Sequence, residues 1–110
     1  MRLDTARRQA LALPEATEED HHGRPSFRVA GKIFATVPDR QHLNVMLDGD
    51  TVAMAVATDP EAFEELHWGR SLAGLRVTLA AADRARVGDL LRRAYLRRAP
   101  ARLVRELEGE

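Results

Sequence analysis

Residues 24–47 read Arg24-Pro25-Ser26-Phe27-Arg28-Val29-Ala30-Gly31-Lys32-Ile33-Phe34-Ala35-Thr36-Val37-Pro38-Asp39-Arg40-Gln41-His42-Leu43-Asn44-Val45-Met46-Leu47, and the way this stretch divides decides the fold. Phe27 and Val29 alternate with Ser26 and Arg28, the two-residue period of a half-buried strand. Gly31 accepts a positive φ, so Ala30-Gly31 predicts a tight hairpin. In the second run Ile33, Ala35 and Val37 are expected on one face, with Lys32, Phe34 and Thr36 on the other. Pro38 has its φ preset for a turn over Val37-Pro38-Asp39-Arg40. The third run, residues 42–47, places Leu43, Val45 and Leu47 opposite His42, Asn44 and Met46. Strands joined by such short links pair as neighbours. The stretch therefore predicts an antiparallel meander, because a parallel crossover needs a dozen or more linking residues.

Upstream, Asp4 is the expected cap of a helix over residues 5–13, ended by Pro14, with Leu3, Ala6, Ala10 and Leu13 facing the sheet. Glu15, Glu18, Glu19 and Asp20 then read as a solvated acidic connector ending in His21-His22-Gly23. Downstream, Asp48-Gly49-Asp50 forms a turn and cap. The alanines of residues 51–58 favour a helix there, although Val52 and Val56 leave a strand open. Asp59-Pro60 can begin a short helical turn, and His67-Trp68-Gly69 reads as a loop or strand edge. Leu75, Val77 and Leu79 alternate with Arg76 and Thr78 and predict a strand. Asp83 caps the clearest helix, in which Val87, Leu90, Leu91 and Ala94 form the buried stripe. Pro100 ends that helix or starts another, docked by Leu103, Val104 and Leu107.

The 110 residues suffice for one domain with one core, spanning residues 1–110. Seventeen basic and 17 acidic residues give zero net charge, which disfavours avid binding to bulk nucleic acid or an anionic membrane. Lys32 is the sole lysine, a bias that G- and C-rich arginine codons explain. The absence of cysteine excludes disulfides, thiol catalysis and thiolate metal sites. No apolar run approaches the roughly 20 residues of a membrane span. Arg7, Arg8 and Gln9 interrupt the N-terminal segment where a secretory signal would be apolar, so a cytoplasmic protein is expected.

No catalytic constellation emerges. Ser26 and Ser71 lie outside any Gly-x-Ser-x-Gly elbow, and Gly69 and Gly74 are isolated, not a phosphate loop. Adjacent His21 and His22 would point opposite ways in an extended segment and chelate poorly, so neither a metal nor another cofactor is expected. Basic residues form two groups. Arg24, Arg28, Lys32 and Arg40 belong to the strands and their turns, where a hairpin can grip phosphates or base edges. Arg92, Arg93 and Arg97 lie on the late helix, among arginines that also fit a solvated face. His67 and Trp68 are the candidates for a small-ligand pocket.

Leu13-Pro14-Glu15, Gly23-Arg24-Pro25-Ser26-Phe27-Arg28-Val29, Gly31-Lys32-Ile33-Phe34-Ala35, Leu43-Asn44-Val45, His67-Trp68-Gly69, Ala94-Tyr95 and Ala99-Pro100 follow one another along nearly the whole chain. This succession resembles the MmcQ/YjbR family of small bacterial proteins. The resemblance implies a two-layer α+β fold of the secretion-chaperone-like and CyaY-like (frataxin-like) type. Its antiparallel sheet would have about five strands in the order α-β(3)-α-β(2)-α, with helices on one face. It also implies binding to duplex DNA, weak and salt-dependent, through a double wing of hairpins. Relatives commonly open the late strand with Gly-Trp where this chain has Gly74-Leu75. The expectation is a non-enzymatic DNA-binding protein. The alternative is a protein-interaction module using an exposed sheet face that carries Phe34 and Met46, and the third reading is a ligand pocket at His67 and Trp68.

Overall fold

Two reversals of the meander are two-residue turns in which both central residues have positive φ. His22 and Gly23 stand at 54° and 82°, and Ala30 and Gly31 at 51° and 78°. This geometry matches the right-handed twist of the flanking strands, so each turn closes a tight antiparallel hairpin. The computed structural model that contains them describes residues 1–109. Its elements in chain order are α1 (Leu3–Leu11), β1 (Thr17–His21), β2 (Arg24–Val29), β3 (Lys32–Asp39), β4 (His42–Val45), α2 (Gly49–Thr58), β5 (Phe63–Trp68), β6 (Ser71–Thr78), α3 (Arg84–Arg98) and α4 (Ala101–Glu108). The fold is two-layer α+β, with one antiparallel sheet ordered β1-β2-β3-β4-β6-β5.

The sixth strand is the acidic connector. Thr17 to Asp20 are all exposed, so no apolar alternation marks β1; it is ordered by the ladder with β2 and by side chains that reach it, among them Arg7, whose Nε donates to Glu18 at 2.8 Å. Carboxylates on such an edge also discourage pairing with another chain. Pro38 and Asp39 lie inside β3, where the pairing with β4 is irregular, and the reversal falls one step later at Arg40 and Gln41. A proline is tolerated there because the ladder is already interrupted. Asp4 is not a cap: α1 begins at Leu3, and Asp4 in its first turn instead bonds Arg7 at 3.2 Å. The turn expected at Asp59-Pro60 does form: the Ala62 and Phe63 amides donate to the Asp59 carbonyl at 3.2 and 3.1 Å, closing one turn that leads into β5.

Directly paired residues share a face of the sheet, so the registers define two adjacent cross-strand rows. One runs Glu18, Phe27, Ala35, Val45, Leu75, Glu65, apolar between charged edges. The other runs Glu19, Ser26, Thr36, Asn44, Arg76, Glu64 and is polar throughout. The apolar row, extended by Leu43, Val77 and Phe63, faces α1 and α3. Val87, Leu90, Leu91, Ala94 and Tyr95 of α3 are fully buried there, with Ala6 and Ala10 of α1. Each such leucine or valine contributes about 1.5–3 kcal/mol on burial. Asp83 Oδ2 accepts the Arg86 amide at 3.0 Å and Asp48 Oδ1 the Thr51 amide at 2.8 Å, so both expected caps form. Pro100 precedes α4, which is docked by buried Leu103 and Leu107.

Phe34 departs from simple alternation. Phe27 pairs with Ala35 and Arg28 with Ile33, so β3 carries an extra residue at Phe34. The bulge buries Phe34 beside Ala35 instead of opposite it, and Phe34 meets Tyr95 edge to face at 5.8 Å. Met46 is also buried, beyond the end of β4. An exposed face carrying Phe34 and Met46 therefore does not exist. Where the chain leaves β4 it crosses Gly74 so closely that a β-carbon would collide with the Val45 carbonyl oxygen. Only glycine permits that crossing. Leu75, which follows Gly74, is a core residue.

Candidate functional site

The polar face of the sheet is built by the two-residue period of the same strands that build the core. At its centre Ser26 is fully buried. Its hydroxyl donates to the Glu19 carbonyl at 2.8 Å and accepts from Arg28 Nε at 3.0 Å. Arg28 Nη2 donates to the Asp20 carbonyl at 3.3 Å. The guanidinium is thus held across β1 and β2 by neutral oxygens, and no carboxylate pairs with it among the described residues. Asn44 is only 8% exposed, and its Oδ1 has no hydrogen-bond partner among the described residues.

Beyond Asn44 the face is electrically closed. Arg76 Nε lies 3.4 Å from Glu64 and its Nη2 3.4 Å from His42 Nδ1. His42 Nδ1 in turn lies 2.9 Å from Asp39. That bond to His42 holds the Asp39 carboxyl below its ordinary value.

Toward the β1–β2 end the face hollows. A cavity of about 460 Å³ is bordered by His21, His22, Arg24, Thr36, Asn44 and Trp68. A neighbouring one of about 450 Å³ is bordered by Arg28, Lys32, Met46, Arg98 and again His21 and Trp68. His21 belongs to one edge strand and Trp68 to the other. Their sharing of both cavities means that the sheet curls its two edges toward each other across the polar face. Trp68 is 59% exposed in this hollow.

The sequence candidates separate. Arg24, Arg28 and Lys32 border the groove, as does Arg98, which the strand-centred reading left out. Arg40 borders a different hollow with Arg2, Leu3 and Asp4, at the other end of the strands. The helical arginines are engaged elsewhere. Arg92 Nη2 donates to the Leu107 carbonyl, Arg93 Nε to Asp89 at 3.1 Å and Arg97 Nη1 to the Met46 carbonyl at 2.9 Å. Arg102 grips Glu15 with two bonds of 2.6 and 2.9 Å, which lower the Glu15 carboxyl below its ordinary value.

His67 and Trp68 are neighbours in β5 and so point to opposite faces. Trp68 enters the groove, whereas His67 Nε2 lies 2.8 Å from Glu65 on the other side. The two do not form one pocket. His21 and His22 do come together, with ring centroids 4.4 Å apart, because His22 is not extended. No group of three metal-ligating side chains is present among the described residues. Asn44 was visible in the sequence as a polar residue on the outward set of a strand, but its buried amide was not.

A family model described as YjbR matches residues 11–97, a span that holds every groove residue except Arg98. No curated protein and no solved structure matches the chain significantly. No helix among the described residues is long and apolar enough to cross a membrane.

Proposed function

The chain belongs to the YjbR family, and we propose that it is a non-enzymatic, cytoplasmic DNA-binding protein. Its contact surface would be the hollowed polar face between the β1–β2 and β5–β6 hairpins. One observation carries the reading. Arg24, Arg28, Lys32 and Arg98 border adjoining hollows around an exposed tryptophan, and none of the four makes a salt bridge among the described residues. Zero net charge does not prevent a local positive field where four basic side chains meet on one concave surface, and the β1 carboxylates beside Arg24 weaken it. Such a field attracts phosphates at short range, while the whole molecule contributes no long-range steering. Binding is accordingly modest and strongly salt-dependent.

Four basic groups on phosphates predict a slope of log K against log salt of roughly −3 to −4 on duplex DNA. Arg24→Glu combined with Lys32→Glu should abolish binding at low salt, since both side chains are exposed and their loss leaves the core intact. Arg93→Glu on the helical face should not weaken it. Absence of binding at low salt, or binding that salt leaves unchanged, would remove the proposal. A second reading is a small anionic metabolite in the same groove, because each cavity falls within the usual size of a ligand site. A metabolite that quenches Trp68 and displaces DNA would favour that reading.

A further inference from the structure

The groove contains more than phosphate-binding charge, and the surplus is suited to a flat ring. Trp68 and His21 border both cavities from opposite edges of the sheet. Their rings make no contact with each other; the ring contacts among the described residues are His21 with His22 and Phe34 with Tyr95. Two aromatic side chains thus border the same hollow without touching each other. Beneath it stands Asn44, more than nine-tenths buried, with an amide oxygen that lacks a partner. In this rotamer that oxygen is closed to solvent, so a ligand in the groove meets the other end of the amide or the flipped rotamer. Rotating the amide by half a turn exchanges its oxygen and nitrogen. It can thus meet either a donor or an acceptor on a ligand's edge.

We infer that the groove holds an unpaired stretch of DNA, one base of which enters between Trp68 and His21 with its edge toward the Asn44 amide. The inference rests on the DNA-binding reading and sharpens it. Arg24, Arg28 and Lys32 lie on the rim, where phosphates on either side of that base would run. An intact duplex cannot use the hollow, because its base faces are stacked on one another and only its backbone meets the rim. A single strand has free faces, and stacking on an aromatic side chain tolerates any base.

Trp68 is the only tryptophan of the chain, so its fluorescence reports the hollow directly. The experiment titrates the full chain, at low salt, with a single-stranded DNA of about ten nucleotides. The same sequence as duplex, the matching RNA and a mononucleotide serve as competing probes, with binding followed by anisotropy and by quenching. The single strand should bind at least about tenfold more tightly than the duplex and quench Trp68. Trp68→Ala should weaken the single strand about tenfold or more and leave the duplex nearly unaffected, with Trp68→Phe restoring most of the loss. Equal or tighter duplex binding, binding without quenching, or an inert Trp68→Ala overturns the inference while DNA binding stands. Preference for RNA, or binding of the mononucleotide alone, overturns it as well. Failure of both DNA forms to bind removes the DNA-binding reading itself.

Discussion

Ser26 and Phe27 are adjacent in sequence and equally inaccessible to water, yet they belong to two surfaces with different tasks. Phe27 is covered by helices and lies in a row with Ala35, Val45 and Leu75. Ser26 is covered by the polar groups of its own sheet and lies in a row with Thr36, Asn44 and Arg76. On the inner face the apolar side chains are covered by the helices. On the outer face Asn44 Oδ1 is unpartnered, and Arg24, Arg28 and Lys32 make no salt bridge among the described residues. Burial alone does not distinguish a core from a site.

Substitutions can break this contrast, and the largest effect is expected on the inner face. Phe27→Ala should cost about 3–5 kcal/mol in chemical denaturation, the range for an aromatic residue removed from a packed core. A cost below about 1 kcal/mol would mean that the apolar row does not carry the fold.

A smaller effect belongs to Tyr95, whose hydroxyl donates to the Pro14 carbonyl at 2.7 Å. Tyr95→Phe should cost about 1–2 kcal/mol near neutral pH. Burial raises the Tyr95 phenol above its ordinary value of 10.0. Its contribution is therefore complete below that value and lost as pH rises through the higher folded one. The wild type should lose stability on the alkaline side, and Tyr95→Phe should flatten that arm. Identical alkaline profiles would count against the assignment.

The smallest effect on stability is expected on the outer face. Asn44→Leu removes an unpartnered amide, so stability should stay within about 1 kcal/mol of wild type or rise. Affinity for single-stranded DNA should nevertheless fall. A destabilisation comparable to that of Phe27→Ala would show that the polar row is structural.

Much of the inner face was legible because its signals are local. Asp83 followed by Val87, Leu90, Leu91 and Ala94 states a capped helix and its buried stripe within a dozen residues, and all four side chains are fully buried. The meander declared itself through alternation and through Ala30-Gly31. The acidic strand did not, because an edge strand with every early side chain in water has no period to detect. Phe34 was misplaced because a bulge is a property of the pairing between two strands and not of either alone.

The outer site was legible only as a list of residue types. Of the basic candidates, Arg24, Arg28 and Lys32 border adjoining hollows, whereas the fold sends Arg40, Arg92, Arg93 and Arg97 elsewhere. His67 and Trp68 were joined because they are consecutive, and the strand period separates them. Arg98 is distant in sequence from the hairpins and reaches the groove only because α3 is packed across the sheet.

The amino-acid sequence by itself determined the α+β class, the early meander, the long capped helix and the residues that can be polar without harming the core. These follow from periodicities of two and 3.6 residues and from backbone preferences that act over a few positions. The tertiary structure alone decided which charges are paired, which aromatic side chains border the same hollow and which amides carry a buried oxygen without a partner. Those depend on the curl of the sheet and on the approach of residues tens of positions apart, and such distances have no signature in local pattern.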